Sequence, residues 1–152
     1  MVSSMTGFGR GRAAQDGREM TVELKSVNHR YLDLSFRMPR HISFAEDTLR
    51  TALNDSLSRG HVDVYVNYRN TRSDAKEVRI DTALLGAYLK SVKAAAADLR
   101  EENDMTLSNA LRLPDVTDIV EADEDDEAVK ALTKEAVDKA IAELITARRG
   151  EG

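Results

Sequence analysis

The chain reads as an α+β protein: a mostly antiparallel sheet with one packed helix, followed by a helical region or arm. Three observations predict this. Residues 61–69, HVDVYVNYR, alternate apolar and polar without a break, as a strand with one buried and one wet face does. Leu49, Ala52, Leu53 and Leu57 repeat at helical spacing between strand-like segments. Past Asp81 the pattern turns to long helical stripes, with little sheet left for them to cover. These readings set a sheet domain over residues 1–80 and a helical region over 81–152.

The elements follow in order. Residues 3–12, SSMTGFGRGR, are strand-like but carry Gly7, Gly9 and Gly11, and glycine within a strand marks a bulge or the close approach of another backbone. The G-x-G-x-G spacing lacks the six-residue dinucleotide fingerprint, and no helix pattern follows it. Gln15-Asp16-Gly17 predicts a tight turn into a second strand. From Thr21, one parity holds Val22, Leu24, Leu32, Leu34 and Phe36; the other holds Glu23, Lys25, His29, Tyr31, Asp33 and Arg37. That is a half-buried strand pair, bent where Asn28, His29 and Arg30 place three polar groups in succession, and ended by Pro39. Ser43 and Glu46 predict a capping box for the first helix, and Gly60 its left-handed cap. KEVRI, 76–80, predicts a short strand after HVDVYVNYR.

Asp81 or Thr82 caps a helix with the stripe Leu85, Tyr88, Leu89, Val92, Ala96 and Leu99. Thr106 starts a short helical piece through Leu113, stopped by Pro114. The acidic run Glu121–Glu127 reads as a solvated loop placed to favour a helix N-terminus. A last helix carries Val129, Leu132, Ala136, Val137, Ala140, Ile141, Leu144 and Ile145. The later helices are expected to pack on one another.

Hydrophobic residues at 41% with 32% charged residues describe a globular chain. No apolar run approaches the roughly 20 residues of a membrane span, and without cysteine there is neither disulfide nor thiolate chemistry. A cytoplasmic protein is the economical expectation. The net charge of −5 divides unevenly: residues 1–72 carry +3 and residues 73–152 carry −8. In the first part every cation but Lys25 is arginine, whose planar fork suits carboxylate and phosphate oxygens. Overall acidity argues against bulk electrostatic binding of nucleic acid, though not against a local basic face.

The wet parities gather Glu23, Lys25, His29, Tyr31, Asp33, Arg37, His61, Asp63, Tyr65 and Arg69. This set offers carboxylates for a divalent cation, arginines for a phosphodiester, and a histidine that titrates near neutrality for acid–base work. It is equally a solvated sheet face laced with ion pairs. Tyr31 and Tyr65 offer rings on which bases can stack. No Ser-His-Asp order, HExxH or Walker motif is present.

SMTGFGR at 4–10, VELKSVNHRYLDLSFRMPR at 22–40 and SRGHVDV at 58–64, in that order, resemble the N-terminal region of the YicC-like proteins. LRLPDV at 111–116 is a looser match, with Asp115 where that family more often has glycine. The resemblance covers essentially the whole chain. It implies a bacterial endoribonuclease acting on single-stranded RNA, dependent on divalent manganese or magnesium, and assembled as a homohexamer. Family members are nearly twice as long, so the chain is expected to stop before the family's C-terminal domain, where metal ligands may also lie. On this resemblance His29 and Asn28 are the catalytic candidates, for proton transfer and positioning. Arg30, Arg37, Arg59, Arg69 and Tyr31 form the RNA-binding set, and Glu23 and Asp33 are the local metal candidates. The alternative is a non-catalytic RNA-binding or oligomerisation module.

Overall fold

The computed structural model describes the backbone of residues 6–151 and the side chains of residues 6–147; the opening residues of the SSMTGFGRGR segment and of the SMTGFGR motif lie outside them. The fold is α+β, and the chain divides into two compact units. One runs through Ala75 and resumes at Asp123; the other is Lys76–Ala122.

In the first unit, β1 (Gly7–Gln15) and β2 (Arg18–Val27) form a hairpin across Asp16 and Gly17, both at positive φ. β3 (Leu32–Arg37) leads through a 3-10 segment, Arg40–Ala45, into α1 (Glu46–Ser56) and then β4 (Gly60–Asn70). The sheet order is β1-β2-β4-β3, with β4 antiparallel to β2 and parallel to β3. Parallel neighbours need a crossover, and α1 supplies it. β2 and β3 are therefore not adjacent. Residues 28–31 carry the chain across the start of β4, where the Gly60 amide donates to the Tyr31 carbonyl at 3.0 Å. The polar interruption is this crossing.

The alternation expected of β4 is present: Val62, Val64 and Val66 are buried beside Met20, Val22 and Leu24 of β2. Leu49 and Leu53 of α1 close part of this face. α4 (Asp126–Glu151) closes the rest with Val129, Ala136, Val137, Ala140 and Leu144. This corrects the expectation that 81–152 forms one helical region whose helices pack on each other. Small residues explain the seating. A Cβ on Gly9 would run into the Ala140 carbonyl, and one on Gly11 into the Ala136 carbonyl. Close helix approach, not a bulge, accounts for these two glycines.

Ser43 and Glu46 do not form a capping box. The preceding 3-10 segment, kinked at Ile42 and burying Ile42 and Ala45, runs directly into α1, which starts at Glu46 with no side-chain cap. Gly60, at φ 116°, begins β4 and does not end the helix, whose C-cap, Leu57, is extended. The acidic run is only partly solvated. Asp125 caps α4 through the Ala128 amide at 3.3 Å, whereas the Glu124 side chain is 2% exposed. Glu124 accepts from Tyr68 Oη at 2.9 Å and Asn70 Nδ2 at 3.1 Å, with Arg18 Nε 3.6 Å away. Burial first, and this carboxylate next, push the Tyr68 hydroxyl well above its ordinary pKa.

In the second unit β5 (Lys76–Ile80) pairs antiparallel with β6 (Thr117–Glu121), a strand not anticipated from the sequence. Between them lie α2 (Thr82–Leu99), capped by Asp81, and α3 (Leu107–Ala110), capped by Thr106. Its buried apolar set is Leu85, Ala110 and Val116. Among the described residues no helix is long and apolar enough to cross a membrane.

Candidate functional site

With α1 and α4 on one face of the four-stranded sheet, the opposite face is open. The ladder registers fix which residues meet there. One row runs Arg10, Glu23, Tyr65, Arg37; the next Phe8, Lys25, Asp63, Ser35; the last Val27, His61, Asp33. Lys25 Nζ lies 5.5 Å from the centre of the Tyr65 ring and the Arg37 guanidinium 5.9 Å from it, so strands on both sides set a cation against one aromatic ring.

His61 is the polar centre of the β3–β4 edge. Its Nδ1 is 2.8 Å from Asp33 Oδ2 and its Nε2 3.1 Å from Asp63 Oδ1. Ionised carboxylates at both ring nitrogens can both be satisfied only when both nitrogens donate, so the arrangement favours the imidazolium. The hydrogen bond to Asp33, then that to Asp63, hold the His61 pKa above its ordinary value. The His29 ring centre is 6.4 Å from that of His61 and also 6.4 Å from that of Tyr31. His29 Nδ1 sits against the Tyr31 main chain, 3.2 Å from its amide nitrogen and 3.1 Å from its carbonyl oxygen. That leaves Nε2 for exchange with solvent or a bound molecule.

The expected site residues thus separate. Asn28, His29, Arg30 and Tyr31 are exposed on the crossing loop, Tyr31 at 65%, and Asp33 lies beside them through His61. Arg59 is exposed just before β4. Arg37 stands further along β3 in the Tyr65 row. Arg69 is eight residues along β4 from His61, about 26 Å at roughly 3.3 Å per residue. It lines a separate cleft of about 500 Å³ with Gly17, Arg18 and Thr71. Glu23 and Asp33 do not share an ion site: Glu23 is 3.5 Å from Arg10 on β1, and Asp33 on β3 is bound to His61 on the neighbouring β4. Asp33 and Asp63 flank opposite edges of the imidazole and so do not converge. Among the described residues no group of three or more His, Asp or Glu could hold a metal ion; these side chains do not fit one.

From the sequence, Asp63 stood among the carboxylates open to a cation and Tyr65 among the rings open to stacking, but His61 and Lys25 had no role of their own beyond a place on the wet face. The i, i+2 spacing of His61 and Asp63 in an alternating strand was a usable signal. The parallel pairing that delivers Asp33 was not.

Such a sheet, one face committed to helices and the other open with histidines, carboxylates and cations, defines the class: an α+β protein with one open polar sheet face. Its family is shown by comparison. The chain belongs to the YicC-like N-terminal family, matching "Endoribonuclease YicC-like, N-terminal region" over residues 2–152. Across all 152 residues it is 33% identical to a protein of Clostridioides difficile (strain 630) and 30% identical to one of Haemophilus influenzae (strain ATCC 51907 / DSM 11121 / KW20 / Rd), both named "Probable endoribonuclease YicC". The chain covers 52% of each relative, so it spans about half the length of the curated proteins it matches.

Proposed function

We propose that this chain is the RNA-engaging part of a cytoplasmic endoribonuclease that cleaves single-stranded RNA and works as a homo-oligomer. The observation that carries the reading is the juxtaposition of an exposed His29 with the carboxylate-held His61 ring, 6.4 Å apart, beside exposed Tyr31. In this reading His29 Nε2 exchanges the proton of the attacking or leaving oxygen, and Asn28 positions the substrate. Tyr31 stacks on an unpaired base. Arg30, Arg37 and Arg59 take successive phosphates, with Lys25 near Arg37. Arg69, at the far end of the sheet, contacts a more distant nucleotide. His61, held between Asp33 and Asp63, orients the edge.

Because Glu23 and Asp33 form no ligand set, we place the ligands of a divalent manganese or magnesium ion in the part of the longer relatives that this chain does not span. A second reading, a non-catalytic RNA-binding or assembly module, is favoured by one observation: Asp33 and Asp63 are both already committed to His61.

Cleavage of a labelled single-stranded RNA by the full-length protein, with and without manganese, separates the two. Loss of cleavage in His29→Ala, with RNA still bound, supports catalysis; an unchanged rate at saturating metal removes His29 from it. Unchanged RNA affinity and salt dependence in both Arg30→Ala and Arg37→Ala would overturn the binding face.

A further inference from the structure

The β5–β6 ribbon is exposed to a degree that a two-stranded ribbon does not tolerate well alone. Every residue of β5 is exposed, including Val78 at 63%, and Ile119, its cross-strand neighbour, is 65% exposed. The ladder phase shows which way the backbone faces. The Asp81 amide donates to the Val116 carbonyl at 2.8 Å, and Asp81 and Val116 continue the β5–β6 register. Antiparallel pairs alternate between bonded and non-bonded. Arg79 and Glu77 are therefore bonded to β6, whereas Lys76, Val78 and Ile80 turn their N–H and C=O groups to the outer edge of β5.

That edge is complementary to itself. Laid antiparallel against a second β5 about Val78, it brings Val78 to Val78, Lys76 to Ile80, and Glu77 to Arg79 of the other copy. The outward groups then form about six main-chain hydrogen bonds. Glu77 and Arg79, now 2.7 Å apart along one exposed strand, each face an opposite charge across the junction. Sliding the pair to either neighbouring in-phase register sets Glu77 against Glu77 or Arg79 against Arg79, which is unfavourable. The charges thus select one register. The free edge of β6 has no such match, because pairing about Ile119 opposes Asp118 to Val120.

We propose that β5 is the edge by which two copies of this chain pair, antiparallel about Val78, into a four-stranded sheet with a two-fold axis. This deepens the assembly part of the reading above and is independent of its RNA chemistry. Sedimentation of the 152-residue chain over a concentration series tests it. The wild-type chain should run above the 16.8 kDa of one copy. Glu77→Arg and Arg79→Glu should each weaken association about tenfold by setting like charges face to face, and the double variant should regain it. Val78→Pro, at a position whose N–H is not used within the chain, should abolish association while leaving far-UV circular dichroism unchanged. A wild-type chain that stays at 16.8 kDa sinks the assembly itself. An oligomer indifferent to both reversals, or one that the double variant does not restore, sinks this edge alone.

Discussion

His61 presents both ring nitrogens to carboxylates, so the folded sheet favours its cation. The pKa is raised from 6.5, chiefly by the hydrogen bond to Asp33 and next by that to Asp63. The clamp's contribution to stability is complete below the unfolded value and is lost as pH rises through the higher folded value. An NMR titration of the His61 ring should give a midpoint above 6.5, lowered by Asp33→Asn; a midpoint at or below 6.5 contradicts the clamp. Glu124 is the other decisive residue. Removing its carboxylate strands Arg18, whose side chain is only 11% exposed, and frees Tyr68 and Asn70. Glu124→Ala should cost about 3–5 kcal/mol in a denaturant titration, as loss of one partner of a buried ion pair does, and should lower the Tyr68 pKa. A loss near zero would return the acidic run to solvent.

β4 organises the sheet at the scale of elements. It lies between β2 and β3, its apolar parity supplies the core, and its polar parity supplies His61, Asp63 and Tyr65. α4 seats on β1 only because Gly9 and Gly11 present bare backbone to Ala140 and Ala136. Gly11→Ala should therefore destabilise the chain by about 1–3 kcal/mol, the usual range for overpacking. A helix-exposed control such as Gly86→Ala, with nothing within 4 Å of the added methyl, should be neutral or slightly stabilising. Equal effects at the two positions would mean that α4 does not sit where described.

Across the whole molecule, burial is concentrated in one unit. The sheet unit buries apolar side chains from β1, β2, β4, α1, α4 and the 3-10 segment, whereas the Lys76–Ala122 unit buries Leu85, Ala110 and Val116. Local opening free energy follows local burial. Amide hydrogen exchange should be slowest in β2 and β4 and much faster in β5 and β6 of the Glu77→Arg or Arg79→Glu variants, where pairing through that edge is weakened. Comparable protection in both regions would show that the small unit carries more of its own stability than its core provides.

What the sequence determined by itself was local. The two-residue period of β4, the Asp16-Gly17 turn, the Asp81 and Thr106 caps, the apolar stripe of α4 and the α+β class were legible because each depends on neighbours within a few residues. The motifs spanning residues 4–64 likewise led to the right family. Tertiary structure alone decided that β4 inserts between β2 and β3, that α4 returns to glycines more than 120 residues earlier, and that Asp33 meets His61 while Glu23 meets Arg10. Such contacts depend on strand order and register, and periodicity within a strand says which face a side chain takes but not which strand lies beside it.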